Sequence, residues 1–156
     1  MAIKQYDPII AIIRAHLLSN TELPAWERWA TAGEPDIYPG YISFVDGGNY
    51  PAITITRDYG MVLRNRTGHS EFHYYIHGWF KPSTDETATS PVSDAAYLMN
   101  LVVESLSDSP ILGKKVTEFD MCRLFDSRCP CYDKETRTTF FMTDWRIKAS
   151  NNLMYA

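Results

Sequence analysis

The side chains best able to ligate a metal or act as a nucleophile are four histidines and three cysteines. Their spacing limits the chemistry. His73 and His77 fall in the run EFHYYIHGWFKP, which reads as a strand, and four residues apart on a strand they share a face at roughly 13 Å. Donors to one zinc ion stand about 2 Å from it, so both histidines are read as structural or interfacial. Cys129-Pro130-Cys131 with Cys122 offers up to three thiolates, but Cys-x-Cys without a second pair is not a zinc pattern, and His16 and His69 cannot be placed beside it from sequence. A bridge between Cys129 and Cys131 would close a strained small ring, and an odd cysteine count without an export signal points to free thiols. Gly68-His69-Ser70 lacks the Gly-x-Ser-x-Gly turn of a nucleophile elbow, and Glu118 and Asp120 flanking Phe119 show the alternation of any half-exposed strand. There is no P-loop, Gly-x-Gly-x-x-Gly or His-Glu-x-x-His. The expectation is a protein without metal or cofactor, and not an enzyme.

Composition narrows the class further. The chain has 156 residues, 45% hydrophobic and 22% charged, with a formal net charge of -4; that size suits one domain over residues 1–156. No apolar run approaches the roughly 18 residues of a membrane span, and no broad positive field suggests nucleic-acid binding. Asp7, Arg14 and His16 interrupt the apolar N-terminal segment, which argues against a secretory signal. The local exception in charge is RDYGMVLRNR, Arg57 to Arg66, either a solvated hairpin or a polar contact to a partner protein or phosphate.

The elements that would position these residues follow from periodicity. Asp7-Pro8 starts a helix with Ile9, Ile12, Ile13, His16 and Leu17 on one face. A short turn near Pro24 carries Trp26 and Trp29 as a clasp over the core edge. TAGEPDIYPG, Thr31 to Gly40, is a loop, Tyr41 to Val45 a short strand, and PAITITR after the Asp46–Asn49 turn its hairpin partner. Met61 to Leu63 either continue that hairpin or form an exposed arm. The long central strand, Phe72 to Phe80, sets Phe72, Tyr74, Ile76, Gly78 and Phe80 against His73, Tyr75, His77 and Trp79; one face needs a core and the other calls for a partner. Lys81 to Ser90 is a polar linker. Ser90-Pro91 opens the clearest helix, with the stripe Val92, Ala95, Ala96, Met99, Val102, Val103 and Leu106, ended by Ser107 to Pro110. Strands Val116 to Phe125 (Phe119, Met121 and Phe125 sharing a face) and Thr136 to Ala149 (Phe141, Thr143, Trp145, Ile147) close the chain around the loop DSRCPCYDKE. The fold class expected is α+β: an antiparallel sheet of about five strands with two main helices on one face.

In this order of elements the chain resembles the tail-terminator proteins of long-tailed bacteriophages. The matching features are the helix Pro8 to Leu18, a Gly/Asn turn followed by the strand PAITI (Pro51 to Ile55), the aromatic strand ending in Lys81-Pro82, the helix ending in SDSPIL (Ser107 to Leu112), and two closing strands ending in TDWRI (Thr143 to Ile147). The segment Thr21 to Gly40 and the loop Asp126 to Glu135 look like expansions. The resemblance implies a homomeric, six-fold ring at the head-proximal end of the virion tail, assembled in the host cytoplasm. It would contact the tail tube protein and head-tail connector proteins. Four Trp, ten Tyr and seven Phe exceed what a small core holds, which suits such interfaces. Arg57, Arg64, Arg66, His69, His73 and His77 are the candidate contacts between subunits or with partners. Other readings are another head-tail or tail component, or a small-molecule-binding module lined by Tyr74, Tyr75, Trp79 and Trp145.

Overall fold

The computed structural model describes residues 7–40, 49–64, 68–81 and 91–155; the side chains of 59–64, 154 and 155 lie outside that description. The elements are α1 (Pro8–Ser19), α2 (Glu22–Ala25), β1 (Ile37–Pro39), β2 (Ala52–Arg64), β3 (His69–Phe80), α3 (Pro91–Leu106), β4 (Met121–Asp133), β5 (Thr138–Ser150) and α4 (Asn151–Tyr155). The strands form one sheet in the order β1-β2-β3-β5-β4. It is antiparallel except for β1, which runs parallel to β2. The fold is α+β.

Helix α1 begins where its sequence dictates. The Asp7 carboxylate accepts the backbone N–H groups of Ile9 at 2.8 Å and Ile10 at 3.3 Å, with Pro8 in the first turn, satisfying donors that the helix itself leaves open. Ile9, Ile10, Ile13 and Leu17 are buried, while Ile12 is only partly covered. Trp26 and Trp29 lie beyond the one-turn α2, yet they meet edge to face at 5.2 Å, and Trp29 donates Nε1–H to the Leu23 carbonyl.

The inward face of β3 is the one read from sequence. Phe72, Tyr74, Ile76 and Phe80 are buried in a single cluster with Ile53 and Ile55 of β2, Phe141, Trp145 and Ile147 of β5, and the apolar faces of α1 and α3. Each large side chain fully buried there contributes roughly 1.5–3 kcal/mol. Gly78 is required in that row, because a Cβ would overlap the Phe141 ring.

Several boundaries differ from the sequence reading. Residues 31–40 are not all loop: β1 forms there because Gly40 N–H bonds the Ile55 carbonyl at 2.7 Å and Ile53 N–H bonds Asp36 at 2.8 Å. The strand read at 41–45, the linker at 82–90 and the Ser90 cap lie outside the described residues. Met61 to Leu63 continue β2, with a register shift between Asp58 and Val62. In α3 the buried face is Ala95, Leu98, Leu101, Val102, Ser105 and Leu106, whereas Val92 is exposed. The larger leucines turn the helix toward themselves. β4 starts at Met121, five residues later than expected, and runs to Asp133, so most of the supposed hairpin loop is strand; two register shifts interrupt its pairing, at Leu124/Asp126 and at Arg128/Cys131, the second taking up Pro130. Phe119 is therefore in the core and Phe125 is exposed, with Cys122 and Leu124 pointing inward instead.

Candidate functional site

The helices of the core cluster cover the sheet face of Phe72 and Ile76; the opposite face has a separate small cluster of strand and loop residues, Ala52, Trp79, Tyr38, Tyr50 and Phe140. Register fixes the rest of this outer face row by row. Ala52, Trp79, Phe140 and Cys131 form one row, and Thr54, His77, Met142 and Arg128 the next. Then come Thr56, Tyr75, Asp144 and Asp126, followed by Asp58, His73, Arg146 and Arg123. One end of the face is aromatic and the other is charged.

At the aromatic end His77 stacks on Trp79 with ring centroids 5.3 Å apart and planes 16° from parallel, and Trp79 meets Phe140 at 4.7 Å. Trp79 also donates Nε1–H to Thr54 Oγ1 at 2.9 Å. Burial lowers the His77 pKa to about 4, so the ring is neutral near pH 7 and packs as an aromatic. At the charged end like charges stand directly opposite, Arg146 across from Arg123 and Asp144 across from Asp126, an arrangement that destabilises a sheet. Part of it is relieved locally. Arg128 Nε pairs with Asp126 at 3.4 Å, the Arg146 guanidinium lies 3.6 Å over the exposed Phe125 ring, and Tyr75 donates to Asp58 at 3.4 Å. Burial raises the pKa of Asp144 against the opposing pull of Arg146 and His73, and raises that of Tyr75, helped by Asp144 and Asp58.

Part of it is not relieved. Thr56 Oγ1, His73 Nε2, His77 Nδ1, Asp144 Oδ1 and Arg146 Nε are buried and make no hydrogen bond among the described residues. Buried polar atoms are normally bonded, and each one left open costs about 1–3 kcal/mol. Among the described residues such atoms concentrate on this one face.

The sequence-derived contact residues divide between surfaces. His73, 2% exposed, and His77 belong to this face. His69 lies at its far end, half-exposed and paired with Asp120. Arg57 points the other way: its side chain is 9% exposed, lies 3.9 Å from Asp7 and rests over the Phe72 ring, so it serves the interior. Arg64 is on β2, with its side chain outside the described residues, and Arg66 lies outside them altogether. Tyr74 and Trp145 are fully buried on the core face while Tyr75 and Trp79 rise from the other; these four do not line one pocket. Among the described residues no three His, Cys, Asp or Glu side chains come together to hold a metal ion, and Cys122, Cys129 and Cys131 are free thiols. No described helix is long and apolar enough to cross a membrane.

No family model matches the chain, and no curated protein is significantly similar to it in sequence. The surface is therefore read from its own chemistry. Sequence reasoning missed Asp144, Arg146, Phe140 and Phe125. The signal was present in TFFMTDWRIK, where Phe140, Met142, Asp144 and Arg146 alternate with the apolar stripe, a mixed aromatic and charged series unlike a plain solvated face.

Proposed function

We propose that this chain is a structural subunit that assembles with copies of itself into a ring, of the kind formed by phage tail terminators. In that role it caps the tail tube at the head-proximal end of the virion, stops tube polymerisation and offers a surface for head joining, with the tail tube protein and connector proteins as partners. The observation that carries this reading is the outer sheet face, where the Arg146 guanidinium over exposed Phe125 stands beside Trp79 and Phe140, together with polar atoms of His73, His77, Asp144 and Arg146 that make no hydrogen bond among the described residues. Arginine with aromatic rings is the composition of interface hot spots. The order of helices and strands supports the same reading.

Light scattering on a concentration series and negative-stain images of the purified chain test it. The expected result is a discrete multimer that images as a closed ring. A strictly monomeric chain at high concentration overturns it.

A further inference from the structure

The charged end of the outer face is self-complementary. In one row the β5 and β4 positions are both carboxylates, Asp144 and Asp126; in the next they are both guanidinium groups, Arg146 and Arg123. Like stands across from like within each row, yet the two rows lie side by side with opposite sign. A face divided in this way matches a copy of itself. If a second chain is turned over about a two-fold axis that runs between the rows and parallel to them, each strand faces its own counterpart and the rows change places. Asp144 then comes opposite the second copy's Arg146, and Asp126 opposite its Arg123.

The same axis passes Phe125. That residue is the extra one at the β4 register shift between Leu124 and Asp126, so it falls between the two rows, and it is 61% exposed beneath the Arg146 guanidinium. Arg123 is exposed too, and the Asp126 side chain is 46% exposed. Contacts inside the chain do not use these groups up. The 3.4 Å pair between Arg128 and Asp126 lies at the surface, where such a bridge is worth little, and a carboxylate has room for a second guanidinium. The Arg146 stack on Phe125 engages the flat face of the guanidinium, whereas its N–H groups lie in its plane. Sheets packed face to face stand about 10 Å apart, a gap these long side chains span.

We infer that two copies of this chain pack outer face to outer face across this axis, Arg123 with Asp126 and Arg146 with Asp144, with Phe125 meeting its own counterpart at the centre. The inference rests on the reading that the chain assembles with itself and names one contact of that assembly. Such a contact is isologous and closes at two chains, so an assembly that contains it has an even number of chains and forms a ring only through a second, different contact.

The test reverses charge at exposed positions. Arg123→Asp sets a carboxylate across from Arg146 of its own chain, and Asp126→Arg sets a guanidinium across from Asp144, so each change relieves a like-charge pair within the chain while creating two across the axis. The expected result for each single variant is a melting temperature at low concentration that is unchanged or raised, with self-association about tenfold weaker or more in sedimentation. The double variant, and an equal mixture of the two singles, are expected to associate again. Singles that associate like wild type overturn the inference, as does a double variant that stays dissociated. A second arm oxidises Phe125→Cys: the new thiol meets its own copy on the axis, so a covalent dimer above the background of the native thiols is expected, and its absence also overturns the inference. A wild-type chain that is a multimer but fails both arms leaves the ring reading standing without this contact, whereas a monomeric wild-type chain removes both.

Discussion

Tyr74 of the central strand donates a 2.9 Å hydrogen bond to Asp7 Oδ2, while Oδ1 of the same carboxylate caps α1. One side chain thereby fixes where the helix begins and which point of β3 it lies over. Arg57, from the neighbouring strand, closes on the same carboxylate.

Asp7→Ala is expected to lose about 2–4 kcal/mol, combining a lost cap with a buried tyrosine hydroxyl deprived of this acceptor. Asp7→Asn keeps one oxygen for the cap, but its amide nitrogen cannot accept from the Tyr74 hydroxyl and its charge facing Arg57 is gone, so its loss is expected to be smaller than that of Asp7→Ala by the worth of the cap. Urea unfolding of both variants decides the matter; equal losses would show that the cap contributes little and that the Tyr74 and Arg57 contacts carry the effect.

His77 predicts an acid sensitivity. Its folded-state pKa of about 4 lies below the ordinary 6.5, so the unfolded chain takes up this proton first and stability falls as pH drops from about 6.5 toward 4. The loss is on the order of 2–3 kcal/mol. Asp144, whose pKa is raised, acts with the opposite sign, because the folded state binds its proton more readily. Comparing melting temperatures of wild type and His77→Phe at pH 7 and pH 4.5 isolates the histidine: the variant is expected to lose less on acidification, and an identical loss would show that His77 is not the responsible group.

Gly78→Ala is expected to destabilise by about 1–3 kcal/mol, since its methyl group overlaps the buried Phe141 ring. A double variant, Gly78→Ala with Phe141→Leu, makes room for the methyl group. It is expected to be less destabilised than the sum of the single changes; simple additivity in thermal unfolding would show that the two positions do not compete for space.

Val102 and Met99 distinguish the observed face of α3 from the one read in the sequence. Val102 is fully buried, and Met99 only partly so. Val102→Asp should cost several kcal/mol by burying an unpaired charge, and Met99→Asp much less. Similar melting temperatures for the two variants would contradict this orientation.

The central strand was legible because its inward residues are uniformly apolar, and α1 because Asp7-Pro8 is a strong start signal. β1 was hidden by Pro35, Pro39 and Gly40: three residues become a strand only because β2 offers its backbone. β4 was hidden for another reason. As an edge strand it is paired on one side only, so DSRCPCYDKE could remain polar, and its bulges break the alternation that would have placed Phe125. The outer face was half legible. His73 and His77 stood out as histidines in an aromatic strand, but Asp144 and Arg146 did not, since their neighbours Asp126 and Arg123 come from a strand whose register the sequence did not reveal.

The irregular edge of β4 bears on how copies of this chain avoid one another. A long, smooth border strand is a template on which further strands can add without limit, the first step toward amyloid-like fibres. Here two bulges and Pro130, which has no N–H to offer, break the border into short pieces. That border of the sheet therefore offers a second molecule no long run of N–H and C=O groups on which to extend it.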